Sequence, residues 1–139
     1  MEPKEAPALA SDLQLTDFID PESSKEIISS KTFPRGDWNQ ICRLKNTPPE
    51  INKRVIPVDA RSYRILVVTT VAPNTRVPNH SHDEGVVRFI TQGSLTLNDV
   101  DYHAGDWVFT PEGSSYEIYT SEGYTAVAGY GTYCGGDPN

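Results

Sequence analysis

Apolar and polar positions alternate in short runs along this chain, and no stretch sustains the 3.6-residue apolar spacing of an amphipathic helix. The strongest run covers residues 63–71, rich in β-branched side chains with apolar residues at both parities, which predicts a strand buried on both faces. Residues 25–33 read as a weaker strand closed by the turn signal Pro34-Arg35-Gly36-Asp37, and residues 38–44 as another. Pro48, Pro49 and Pro57 then make 46–61 an irregular connection with at most a short edge strand over 54–58. Further strands are expected at 86–91, 94–97, 100–103, 107–110, 116–120 and 124–130, and Asn98-Asp99 is a hairpin turn between two of them.

Many short strands with Gly- and Pro-rich turns and no internal repeat predict an all-β barrel or sandwich. At 139 residues with 37% hydrophobic content, the chain suits one domain and one core. Residues 1–12 are poor in groups to bury and read as a flexible N-terminal tail; 13–130 form the domain with an N-terminal arm; 131–139 form a second flexible tail. The net charge of −7 repels phosphate backbones and anionic bilayers, so neither nucleic acid nor membrane is expected as a partner. The start of the chain lacks a basic then apolar secretory pattern, and a cytoplasmic location is expected. Cys42 and Cys134 have no Cys-x-x-Cys spacing and read as two buried free thiols.

The candidate chemistry lies in the stretch His80-Ser81-His82-Asp83-Glu84-Gly85-Val86-Val87-Arg88. Two histidines two residues apart leave the same face of a strand, where a pair of neutral imidazoles can share one metal ion. Arg88 shares a face with Val86, and a guanidinium there needs an anion: Glu112, Glu117 or an anionic or enolate substrate.

His80-x-His82 stands eleven residues before Gly93, and further on Gly105 is followed after five residues by Pro111-Glu112-Gly113. Together these resemble the two signature motifs of the cupin superfamily, over residues 71–118. The resemblance implies a single-domain cupin: an all-β double-stranded β-helix, or jelly-roll barrel, enclosing a small-molecule pocket. The chain departs from the pattern twice, with Val86 where a glutamate ligand is usual and Tyr116 where the last histidine is usual. Val86 resembles the cupin dioxygenases that cleave acetylacetone or dihydroxyacetophenone, which bind iron through histidines without a carboxylate.

The resemblance implies a divalent metal ion at His80 and His82, Fe(II) favoured, with Zn, Ni or Mn as alternatives. Tyr116, Glu84, His103 or water would complete the site. Tyr116, Arg88 and Glu84 are the candidate catalytic groups, and Phe109, Trp107, Tyr102 and Ile90, with Tyr119, the candidate pocket lining. The implied function is a dioxygenase or a Lewis-acid isomerase or cyclase acting on a diketone, enol or hydroxyketone. The alternatives are a metal-free ligand-binding or sensor cupin, and a metal-independent isomerase or cyclase using histidine and tyrosine for acid–base chemistry. A homodimer is expected, with the apolar stretch 13–28 as an arm exchanged between subunits.

Overall fold

The computed structural model describes Leu9 and residues 13–132. Eight strands, β1 (Ile28–Ser29), β2 (Ile65–Val71), β3 (Thr75–His80), β4 (Val86–Leu97), β5 (Val100–His103), β6 (Trp107–Thr110), β7 (Tyr116–Thr120) and β8 (Tyr124–Tyr130), make two antiparallel leaves. One leaf runs β1-β6-β4-β8-β2 and the other β5-β4-β7-β3, so β4 belongs to both. This is the expected all-β, single-domain cupin architecture. Among the described residues no helix is long and apolar enough to cross a membrane.

Local chemistry explains the joins. Asn98 and Asp99 adopt positive φ (45° and 68°), the left-handed pair that a two-residue hairpin needs between β4 and β5. Gly93 sits where β4 passes from one leaf to the other, with φ +74°, and a Cβ there would lie 2.0 Å from the Gly123 carbonyl oxygen. Period-two alternation then sorts the side chains. Ile90, Val108, Tyr116, Ile118, Tyr124 and Ala126 pack inside between the leaves, and Val86, Ala128 and Tyr130 extend that interior.

A second core lies outside the first leaf. Leu13, Ile19, Trp38, Cys42 and Val58 bury Trp107 and Phe109, and Trp107 meets the rings of Trp38 and Phe33 edge-on at 5.9 and 6.4 Å. The arm is tied down by Ile19, whose N–H donates to the Pro57 carbonyl and whose carbonyl accepts from Asp59, both at 2.7 Å. The stretch 13–28 thus packs on its own sheet.

Three sequence expectations are corrected. Residues 38–44 are not a strand: Trp38–Ile41 form one helical turn, because the Asp37 carboxylate caps it by accepting from the Asn39 N–H at 3.0 Å. The strand at 25–33 shortens to Ile28–Ser29, because the Ser29 hydroxyl accepts from the Lys31 and Thr32 N–H groups and turns the chain away. The run at 63–71 is half-buried on one face only; Leu66 and Val68 on the other face are 73% and 68% exposed, since among the described residues no second layer covers that face. Of the two tails, residues 1–8, 10–12 and 133–139, and with them Cys134, lie outside the described residues; Gly131 and Thr132 are fixed by hydrogen bonds, as shown below.

Burial raises the pKa of Tyr63, Tyr102 and Tyr124, with the Glu84 charge adding to it at Tyr63, and pushes the Cys42 thiol up to about 11. All four are neutral acids whose folded pKa exceeds the unfolded one. Their contribution is therefore complete below the ordinary values, near 9 for the thiol and near 10 for the phenols, and is lost as pH rises from there through the folded values. Urea midpoints are expected to hold up to about pH 8.5, to begin falling above about pH 9 and to fall further above about pH 10; a midpoint still flat well into alkali, followed with tyrosinate absorbance, would contradict this. Gly93→Ala is expected to cost more than the roughly 1–2 kcal/mol of a left-handed non-glycine backbone, because the obstruction is itself backbone; thermal denaturation reads it.

Candidate metal centre

The site forms where β3 leaves the barrel. The β3–β7 register shifts between Val77 and His80, and this irregularity sets His80 directly across from Tyr116, ring centroids 4.6 Å apart. His80 Nδ1 lies 2.8 Å from the Pro78 carbonyl oxygen. A carbonyl only accepts, so Nδ1 carries the proton and Nε2 the lone pair. That Nε2 is buried with no hydrogen-bond partner among the described residues. The His82 ring is buried 5.3 Å from that of His80, stacks at 25° to Tyr116, and meets Tyr130 edge-on at 5.9 Å. Its backbone carbonyl accepts from the Gly113 N–H at 2.9 Å, which joins the two motif turns.

Arg88 points into the same interior and is 5% exposed. Its Nη1 donates to Thr110 Oγ1 at 3.1 Å, its Nη2 donates to the Tyr116 hydroxyl, and its Cζ lies 5.0 Å from the centre of the Tyr116 ring. Thr110 Oγ1 in turn donates to the Val86 carbonyl at 3.4 Å. His80, His82, Tyr116 and Arg88 therefore form one cluster. Thr110 and Tyr130 belong to it and were missed. The period-two faces of 107–110 and 124–130 were the available signal: Thr110 shares a face with Val108, and Tyr130 with Ala128 and Ala126.

The other sequence candidates lie elsewhere. Glu84 turns away from the histidines: its carboxylate accepts from the Gly131 N–H, the Thr132 N–H at 3.3 Å and the Thr132 hydroxyl at 2.7 Å. Three donors at the end of β8 hold it, so it clamps the histidine loop rather than completing a ligand set. Glu112 lines the cleft beside Glu84, and Glu117 is exposed on the outward face of β7. His103 is exposed in a small polar cleft with Ser94, Asp101 and Tyr119. Trp107 and Phe109 alternate away from the interior and sit beneath the arm, so neither lines the cavity side of the leaf. Ile90 and Tyr102 do face inward, as packed core; the Tyr102 hydroxyl donates to Ser29 Oγ at 2.9 Å.

The family model for the ChrR cupin-like domain matches residues 39–133. The chain belongs to this cupin family. No curated protein matches this cupin. Among solved structures, a cupin-2 domain-containing protein from Shewanella frigidimarina is 21% identical, over 54% of this chain and 74% of its own, with a TM-score of 0.43. KdgF from a Halomonas species is 12% identical over 64% and 87% of the two chains, with a TM-score of 0.47. A conserved protein of unknown function from Streptococcus pyogenes is 14% identical over 90% of each, with a TM-score of 0.40.

Members of the cupin superfamily commonly bind metal ions, and the histidine pair fits one. Two imidazoles that each place a nitrogen about 2.0–2.1 Å from a shared ion hold their ring centres roughly 5 Å apart, close to the 5.3 Å seen. The Pro78 carbonyl supplies the outer hydrogen bond that a ligating histidine requires. Among the described residues no third His, Cys, Asp or Glu joins the pair.

Glu84→Ala is expected to free Gly131 and Thr132 and to cost about 1.5–3 kcal/mol, the range for hydrogen bonds to a charged group, with Glu84→Gln costing less. Amide exchange at Gly131 and Thr132 measures it; unchanged protection in the alanine variant would show that the clamp is dispensable.

Proposed function

We propose that this cupin is a metal-dependent enzyme that holds a divalent ion at His80 and His82 and acts on a small oxygen-rich substrate, a diketone, enol or hydroxyketone. One observation carries the reading: the Nδ1 proton of His80 is committed to Pro78, which leaves the buried Nε2 lone pair without a hydrogen-bond partner among the described residues. A buried acceptor left in that state costs about 1–3 kcal/mol unless a partner fills it. Fe(II) is the preferred ion, because imidazole with oxygen donors suits it and open positions remain for substrate. Such an ion, when bound, supplies Lewis acidity toward carbonyl and enol oxygens and, as iron, a route to dioxygen.

The chain's own residues supply the rest. Arg88 brings a fixed positive charge to the same interior and would hold the oxygen of an enolate. Tyr116 accepts from Arg88 through its hydroxyl, and the proton on that hydroxyl is the one a general acid would give. Val86 and Tyr130 form an apolar wall that limits water beside His82. Val86 at a glutamate position leaves that side of the pair without a carboxylate, so the bound ion would keep more positive charge for substrate oxygens.

A second reading is a metal-free binding module, or an isomerase in which His80 or His82 is the base and Tyr116 the acid. The two-nitrogen donor set favours it, because no further His, Cys, Asp or Glu joins the pair among the described residues.

Metal analysis of protein purified without an affinity tag, beside His80→Ala and His82→Ala, separates the two. Bound metal in the parent protein, substoichiometric after dialysis and at least about tenfold lower in each variant, is expected. Equal, near-zero metal in all three overturns the metal reading. Activity that survives a chelator would then favour the acid–base form.

A further inference from the structure

We propose that the outer face of the leaf β5-β4-β7-β3 carries a binding site for one ring of a neutral saccharide, built on Tyr119, Asp101 and His103. The site lies outside the barrel and does not depend on the metal reading.

Strand register assembles it. Asp101 on β5 stands opposite Thr96 on β4, Thr96 opposite Tyr119 on β7, and Tyr119 opposite Arg76 on β3. All four side chains leave the outward face, since their strand neighbours Tyr102, Leu95, Leu97, Ile118 and Val77 are the ones packed inside. At about 4.8 Å per strand they form one row roughly 14 Å wide: carboxylate, hydroxyl, aromatic ring, guanidinium. Ser94 and His103 face each other as the next outward pair. Between these rows and Ser121 lies a cleft of about 250 Å3.

Two contacts set the row in place. The Thr96 hydroxyl donates to one Asp101 carboxylate oxygen at 2.6 Å, which holds the carboxylate toward β4 and leaves its second oxygen for a ligand. The Arg76 guanidinium lies 5.2 Å from the centre of the Tyr119 ring. Arg76 reaches that ring from β3, whereas Ser94, Thr96, Asp101 and His103 stand on β4 and β5, on the other flank. The cation therefore backs one side of the ring and the cleft meets the other. Tyr119 is left 37% exposed.

The lining selects the ligand. Serine and threonine hydroxyls and an imidazole both donate and accept hydrogen bonds, and a carboxylate accepts them, so the cleft matches a molecule that carries several hydroxyls. The Tyr119 ring offers an apolar flank to the C–H face of a sugar. An apolar ligand would strip water from these polar groups and return no hydrogen bonds. A simple anion meets Asp101 and a net charge of −7, and a simple cation meets Arg76 behind the ring and finds a single carboxylate in the row. The volume is below the roughly 300–1,000 Å3 of pockets that enclose drug-sized ligands, which limits the occupant to one ring.

Amide NMR of the full chain, titrated with glucose, galactose, mannose and N-acetylglucosamine, tests this. At least one of the four is expected to give saturable shifts centred on Thr96, Asp101, His103 and Tyr119, with a Kd on the order of 1 mM, and none at His80 or His82. Asp101→Asn, which keeps an oxygen for the Thr96 hydroxyl, and Tyr119→Ala are each expected to weaken that binding at least about tenfold. Neither should move the thermal midpoint, since both side chains are exposed. Glucuronate and glucosamine, the charged counterparts, are expected to bind more weakly than the neutral sugars. No saturable shift with any of the four sugars, shifts centred on the histidine pair, binding that survives either substitution, or tighter binding of a charged counterpart each overturns the proposal.

Discussion

The twelve residues of β4 belong to both leaves, and that sharing is the constraint the rest of the molecule satisfies. A strand can serve two leaves only by bending, and the bend falls at Gly93, where positive φ and the close approach of the Gly123 carbonyl leave no room for a side chain. On one side of the bend Val86, Arg88 and Ile90 point inward against β6 and β8; on the other Leu95 and Leu97 point inward against β5 and β7. The polar end and the apolar end of the interior are thus two halves of one strand. Displacing the bend by one residue would turn Arg88 out and bring Val87 and Phe89 in.

Polar groups concentrate at the first of those ends for a reason of accessibility. Guanidinium and imidazole groups are costly to bury unless hydrogen-bonded, and the far end is closed by Leu95, Leu97, Tyr102 and Ile118. Near the β3 exit, backbone carbonyls and hydroxyls are available. Pro78 serves His80, Thr110 and Tyr116 serve Arg88, and Gly113 fixes the carbonyl of His82. The departures from the usual cupin ligands belong to this arrangement. Tyr116 offers Arg88 both a hydroxyl and a ring face, which an imidazole at that position would not provide in the same form.

The barrel strands were legible because their signals are local: β-branched runs, Asn98-Asp99 at a hairpin, glycines at turns. The histidine pair and the inward parity of Arg88 were legible because a strand has period two. What was not legible depended on contacts distant in sequence. Trp107 and Phe109 have the composition of a pocket wall, and only the arm that covers them shows that their face is the outer one. Glu84 stands beside the histidines in sequence, yet its partners are Gly131 and Thr132 at the other end of the domain. The exposed face of β2 departs from the sequence expectation for a related reason, since an apolar run does not reveal whether another layer exists to cover it. The helical turn at Trp38 was announced by Asp37, a capping signal masked by the Pro34-Arg35-Gly36 turn signature just before it.

Gly85 carries a consequence that reaches the start of the chain. A Cβ at this position would lie 2.6 Å from the Pro21 carbonyl oxygen and 2.8 Å from the Phe109 ring, so the backbone three residues after His82 is wedged directly against the arm. The arm is therefore part of the scaffold behind the histidine loop and not an appendage to the barrel. Trimming the N-terminus past Pro21, or fusing a bulky partner close to it, alters the backing of the histidine loop. Preparations cut on either side of Pro21 therefore differ in the backing of the loop that carries the histidines.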